Sequence, residues 1–372
     1  MLTPKKGITA GSGTAATELK LLLLPLMKML ELQWSKALVA KVYVDDLTLI
    51  VRGLRAFVVD KLAVIMNFVI DHLEGTLKMQ VSREKSNVVA SKPSLALAVA
   101  EKVDNHVVKA ASHAKILGAD TVGGARRCTF QFRSRIWQFM GKVPRFNALR
   151  EVGANVHQMV RAVASPSVLY AVECIGVSCA AIQKIRVAAA RACSAKAGGK
   201  NVDLVWAAVD GNTGTADPAF EAHAGPVKYW ALAFWESWFA DAEMEKALAD
   251  ARQTTNVKGK SVWGRVTGPA NALVATLLRL KWKWTDERAV QDDVGNVWTF
   301  GLDSPKDFMN AAHASVRRWR LNKILKLVPT AAPSSGDCLA PGGAMQMFDF
   351  ARTIKAMIAG RGPGKKAEAD WD

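Results

Sequence analysis

Apolar residues recur at helical spacing over residues 17–35, with Leu and Met on successive turns and Pro25 inside the run. The pattern predicts a helix bent at Pro25. Its centre, "LKLLLLPLMKML" (19–30), is too short to cross a bilayer and is broken by Pro25 and Lys28. Glu18 and Lys20 flank it and no small-residue cleavage site follows, so it reads as a core helix and not a targeting signal. The period then changes from 3.6 to 2. "ALVAKVYV" and "LTLIVRG" are β-branched and aromatic runs separated only by Asp45-Asp46, which predicts a tight β-hairpin with the acids at its turn and Gly53 at its end. A helix is expected over 54–75, with Phe57, Leu62, Ile65, Phe68, Val69 and Leu73 near one face and Gly75 as its stop. Residues 77–91 suggest two short strands around a polar bend, closed by Pro93. A helix over 95–102 and a short strand over 113–120 follow.

After Gly123-Gly124 the composition shifts. Residues 126–197 read as almost entirely helical, and "AGGK" (197–200) and "DGNTGTADP" (210–218) read as loops. A strongly aromatic helix is expected within 219–252, carrying Phe220, Trp230, Phe234, Trp235, Trp238 and Phe239. Trp282, Trp284, Trp298 and Trp319 lie in the next segment. A loop over 329–343, a short helix and a Gly-Lys tail expected to be disordered close the chain. No internal repeat is visible.

Charge narrows the function classes. The 372 residues carry a net charge of +17, so a polyanion, nucleic acid first among them, is the expected partner. Twelve Trp supply core anchors and flat faces for stacking on bases. The five cysteines (Cys128, Cys174, Cys179, Cys193 and Cys338) are odd in number and contain no CxxC pair. That argues against a disulfide framework or a zinc module and for a reducing, intracellular compartment. The six histidines show no metal-ligand spacing, and His223, near Glu221, reads as a loop residue.

Two carboxylates at a hairpin tip can hold a hard divalent cation such as Mg²⁺, which takes oxygen ligands and completes its shell with water and phosphates. The alternative is a solvated turn, since Asp is a favoured turn residue. The surrounding order of segments bears on that choice. "VYVDDLTLIV" resembles the Tyr-x-Asp-Asp hairpin of reverse transcriptases. A helix follows, then "LKMQVSREKSNVV", similar to the family's next motif with its Lys, here Lys85. "AKILGAD" resembles the Leu-Gly strand at the base of the thumb, here Leu117 and Gly118. The closest flavour is the non-LTR, LINE-type retrotransposon enzymes. The resemblance covers residues 36–123 well and 124–197 loosely.

The resemblance implies an α+β fold, a partial polymerase palm of antiparallel hairpin sheet with helices, followed by a mostly α-helical thumb and C-terminal region. The expected division is a partial palm over 1–123, a helical thumb-like region over 124–200, a Trp-rich domain over 201–330, and a loop, short helix and basic tail over 331–372. It implies RNA-directed DNA polymerase chemistry, with Asp45 and Asp46 as ligands for Mg²⁺ or Mn²⁺ and Tyr43 and Val44 beside the primer end and incoming nucleotide. Lys85 would lie near the nucleotide phosphates. "RRCTFQFRSRIWQFMGKVPRFNALR" (126–150) suits the thumb: Arg126, Arg127, Arg133, Arg135, Lys142, Arg145 and Arg150 occur there without an acid, interleaved with aromatics. The aromatics themselves read mainly as core. The setting implied is intracellular and nuclear, with a template–primer of RNA and DNA as partner and no membrane.

One departure from the family is large. A polymerase palm needs a third carboxylate on a separate upstream strand, yet no Asp precedes Tyr43 and the only acids there are Glu18 and Glu31. Gly11 and Gly13 are the candidates for a remnant of the loop before the hairpin. The expectation is therefore a reverse transcriptase truncated at its N-terminus, with little or no polymerase activity alone and a second polypeptide as a possible source of the missing part. Two alternatives are a non-catalytic basic nucleic-acid-binding protein and a helical interaction protein in which Tyr-Val-Asp-Asp is a turn. "KWKW" (281–284) and "RRWRLNKILK" (317–326) are also compatible with RNA or DNA contact.

Overall fold

The computed structural model describes residues 13–103, 108–124, 127–194, 201–210, 216–255 and 261–327. Arg126, Gly11, His106, Cys338, the 197–200 loop and the expected C-terminal loop, helix and tail lie outside the described residues. The described chain is α+β in the coarse sense, mostly helical with four small sheets among these residues. It divides into two compact units, Met1–Arg126 and Arg127–Asp372.

In the first unit, α1 (Ala15–Trp34) contains Pro25 and buries Leu23, Leu26 and Leu30 on one stripe. These meet Leu38, Ile65 and Val69 in an apolar cluster. Strands β1 (Leu38–Tyr43) and β2 (Asp46–Val51) pair antiparallel, from Leu38 opposite Val51 to Tyr43 opposite Asp46. α2 (Arg55–Asp71) follows and ends in a π-helical turn, His72–Thr76. Its inward set is Val58, Ala63, Ile65 and Val69. Phe57, expected inward, is 39 % exposed and lies over Gly53, where a Cβ would come within 2.9 Å of its ring.

A second cluster joins Ala63 to Val88, Ala96, Val99, Val103 and Val108. It is built by α2, α3 (Pro93–Lys102) and a parallel pair, β3 (Asn87–Val89) with β4 (Lys109–Ala111). Two expectations change here. Residues 77–82 form no strand, because the Val81 amide donates to Glu74 Oε1 (3.2 Å) and the Met79 amide to the Leu73 carbonyl (2.8 Å), leaving no ladder to join. The single strand expected over 113–120 is a hairpin, β5 (Ala114–Ile116) with β6 (Ala119–Thr121). Leu117 and Gly118 turn it at φ 48° and 81°, the left-handed pair a two-residue loop requires.

The second unit opens with α4 (Phe130–Glu151), followed by the short helices α5 (Val156–Met159), α6 (Ser165–Val168) and α7 (Val172–Ile175). Ser178 caps α8 (Cys179–Cys193) by accepting from the Ala181 amide, and buried Ala188, Ala189 and Ala192 let it pack closely on α4. α9 (Val202–Asp210) and α10 (Ala219–Trp235) come next. The aromatic helix expected within 219–252 is α10, but it stops before Trp238 and Phe239, since Ser237 takes φ 50° and the Trp238 amide closes back on the Ala233 carbonyl (3.0 Å). α11 (Asp241–Thr255) and α12 (Pro269–Leu280) lead to a sheet that the helical reading missed: β7 (Lys283–Trp284), β8 (Ala289–Gln291) and β9 (Val297–Thr299), antiparallel in that order. α13 (Pro305–Leu327) packs along α10. One apolar cluster runs through this unit from Phe132 to Val316, with Phe300 stacked on Phe308 at 4.5 Å.

Leu26 is 1 % exposed whereas Leu32, on the same helix, is 85 % exposed. Leu26→Ala is expected to destabilise the first unit by about 2–5 kcal/mol in urea denaturation, and Leu32→Ala to change stability by less than about 0.5 kcal/mol.

Candidate functional site

Strand alternation sets what the hairpin presents. Leu38, Ala40, Val42, Leu47, Leu49 and Val51 lie in or against the α1–α2 cluster. Tyr43 and Asp46 are cross-strand partners and share the opposite face, with Tyr43 61 % exposed. The loop is Val44-Asp45, not Asp45-Asp46; Asp46 is already the first residue of β2. Val44 holds φ 54°, a left-handed conformation that a β-branched residue adopts only under constraint. Both carboxylates are exposed and make no hydrogen bond or ion pair among the described residues. That answers how an apolar run tolerates two acids: the tip is solvated while the strands below it are packed.

The tip offers oxygen ligands to a hard cation, but no group of three His, Cys, Asp or Glu side chains able to hold a metal occurs among the described residues. Lys85 lies in the exposed turn before β3, its carbonyl accepting from Asn87 Nδ2 (2.8 Å), and no ion pair joins it to Asp45 or Asp46. Leu117 and Gly118 belong to the β5–β6 turn.

From Arg127 onward the basic segment belongs to the second unit and splits into two roles. Arg127 is half-buried and donates to the carbonyls of Trp263, Ile175 (3.0 Å) and Gly176 (3.2 Å); burial, then Arg133, lowers its pKa. Arg135 donates to the Tyr170 carbonyl (2.9 Å) and lies over that ring. Arg150 holds the Ala192 carbonyl (2.6 Å), tying α4 to the end of α8. These guanidiniums fasten the unit together. Arg133, Lys142 and Arg145 are exposed. At 100° per residue they share the outer half of α4 with Phe130 and Trp137, 58 % and 66 % exposed, while Phe132, Ile136 and Phe139 face the core. α4 contains no acid before Glu151.

Sequence reading missed a concentrated buried charge cluster among the described residues. Arg186 in α8 has no solvent contact and forks onto Asp217, Nε at 2.9 Å and Nη2 at 2.8 Å, while Nη2 also meets Asp203 at 2.8 Å. Burial works against its charge, and the attraction of Asp217 and then Asp203 outweighs it, so its pKa rises. Trp319 lies under the guanidinium at 5.2 Å, and Trp206 Nε1 donates to the Arg186 carbonyl (3.3 Å). Asp210 accepts from the amides of Ala216 and Asp217, and Arg320 approaches both Asp210 and Asp217 at 3.6 Å. A signal was present: Asp203, Asp210 and Asp217 are spaced by seven, and the first two fall on one face of the apolar helix "VDLVWAAVD". Arg320, read as an RNA or DNA contact, is buried in this cluster, and Trp282 of "KWKW" is buried with Nε1 on Ser315 (2.9 Å).

His223 is a buried α10 residue and not a loop residue; its Nδ1 pairs with the Ala219 carbonyl at 2.5 Å, and burial holds its pKa well below the usual value. His313 packs edge-on to Phe220, and burial followed by Arg317 lowers its pKa to about 4. Burial pushes the Cys174 and Cys193 thiols up to about 11 and about 12, where they are unreactive. No helix is long and apolar enough to cross a membrane among the described residues. No protein-family model, curated protein or solved structure matches the chain.

Asp217→Ala removes the forked partner of the buried Arg186 and leaves Asp203 alone to balance its charge, and is expected to cost about 3–5 kcal/mol by chemical denaturation. His313 gives a pH dependence of definite sign. Its folded pKa of about 4 lies below the unfolded 6.5, so the unfolded state binds the proton first. The stability present above pH 6.5 is lost as pH falls toward 4, and His313→Phe is expected to shrink the fall in Tm between pH 7.5 and 5.

Proposed function

We propose that the chain is a reverse transcriptase-like polypeptide of a non-LTR retroelement that binds an RNA–DNA template–primer and does not catalyse nucleotidyl transfer on its own. The observation that carries this reading is the outer face of α4, where Arg133, Lys142 and Arg145 stand with exposed Phe130 and Trp137 and no acid. Cations there neutralise phosphates by releasing counterions, and an exposed indole offers a face to a base. The order of a hairpin with Asp45 and Asp46 at its tip, a helix, and a turn bearing Lys85 supports the palm assignment. Catalysis is left out because two solvated carboxylates cannot place two ions 3.5–4 Å apart without a third ligand, as the chemistry demands roughly that spacing. A partner polypeptide that supplied a third carboxylate would complete the palm. This reading sets the protein in the nucleus, where such templates are met.

Fluorescence anisotropy with a labelled RNA–DNA primer–template, run over a salt series, tests the binding. Replacing Arg133, Lys142 and Arg145 together by Ser is expected to flatten the slope of log K against log salt by about 2–3. Asp45→Asn should bind like wild type. A primer-extension assay with Mg²⁺ or Mn²⁺ should yield no Asp45-dependent product. Processive synthesis that disappears in Asp45→Asn would restore the catalytic reading, and no binding at low salt would leave Tyr-Val-Asp-Asp as a turn in a helical interaction protein.

A further inference from the structure

Within the second unit, α10, the C-terminal end of α12, the turn between β8 and β9 and the later half of α13 enclose a cavity of about 740 Å³. Sites that take small organic ligands typically measure roughly 300–1,000 Å³. Its walls include Arg279, Lys281, Lys323 and His223, against one carboxylate, Asp293. That carboxylate is already committed: it accepts from Arg318 Nε (2.8 Å) and from Ser315. Burial opposes its ionisation, but these bonds hold its pKa below the usual carboxylate range, so it stays ionised and paired.

The cations are less well matched. Lys323 stands over Trp319 at 4.2 Å and lies 3.8 Å from Asp203. Lys281 is exposed at the left-handed C-cap of α12, φ 63°. Arg279 lies over Trp263 at 4.4 Å, donates through Nη1 to the Val177 carbonyl and is hydrogen-bonded to Cys179, while its Nε and Nη2 are buried with no further hydrogen bond to a described residue. Buried donors of this kind are normally satisfied, and a guanidinium fork matches the oxygens of a phosphate. Burial lowers the Arg279 pKa to about 10, which leaves it protonated at neutral pH.

We infer that this cavity is a binding site for a small phosphate-bearing molecule, held by the unmatched donors of Arg279 with Lys281 and Lys323. Recognition is by charge and not by stacking, because Arg186 and Lys323 already lie against the Trp319 ring. The site is independent of the α4 face.

Isothermal titration of the full chain with pyrophosphate and with AMP, at constant ionic strength and with sulfate as control, tests this. One-to-one binding of either phosphate ligand, at least tenfold tighter than sulfate, is expected; tighter AMP marks a nucleotide site and tighter pyrophosphate a polyphosphate site. Lys281→Gly keeps the left-handed cap without strain, so it should fold normally and weaken binding roughly tenfold, as should Arg279→Gln. The Ser triple variant of α4 should leave this binding unchanged. The inference is overturned by the absence of saturable binding, by sulfate binding equally well, by affinity unaltered in Lys281→Gly and Arg279→Gln, or by loss of binding in the α4 variant alone.

Discussion

Arg186 lies with 0 % exposure between Asp217 and Asp203, and the larger unit is arranged around that contact. A charge taken out of water costs several kcal/mol unless opposite charge and hydrogen bonds surround it. Meeting that demand fixes where α8, α9 and the N-terminus of α10 lie, because Arg186 comes from α8, Asp203 from α9, and Asp217 from just before α10, where it also accepts from the Ala219 amide. Asp210 then closes the chain between α9 and α10 through backbone amides, and α13 brings Arg320 and Trp319 over the cluster. Arg127, Arg135 and Arg150 repeat the device at the periphery, capping carbonyls at helix ends. A basic composition is thus spent partly on architecture, and only the remainder is free to meet a polyanion.

That remainder is what gives the proposed function its shape. The aromatic-basic segment divides by helical angle: Phe132, Ile136 and Phe139 enter the core, and Arg133, Trp137, Lys142 and Arg145 face solvent. The hairpin divides in the same manner with period 2, burying Val42 and Leu47 sides while presenting Tyr43, Asp45 and Asp46. Packing below and solvation above explain why two adjacent acids sit in an apolar run.

Much of this was legible in the chain where period and turn chemistry agree. The helix over α1 and the hairpin with its solvated tip follow from Leu spacing, alternation and Asp45. What was not legible depended on partners distant in sequence. Residues 77–82 look like a strand, but Glu74 and Leu73 capture their amides. β7–β9 are only two or three residues each, too short for alternation to register, and their aromatic residues read equally well as helix. His223 read as a loop residue beside Glu221, yet both lie inside α10, which carries Gly225 and Pro226 within its span. The Arg186 cluster left only a seven-residue spacing of Asp, which has no meaning until α8 is placed beside it.

The central claim is that the outer face of α4 is the surface that meets nucleic acid. Ultraviolet cross-linking of the full chain to an RNA–DNA primer–template, followed by peptide mapping, tests it most directly. The account predicts cross-links on the peptide containing Phe130 and Trp137, suppressed by high salt. Cross-links confined to other peptides, or none on α4 under conditions where the hybrid is bound, would contradict it.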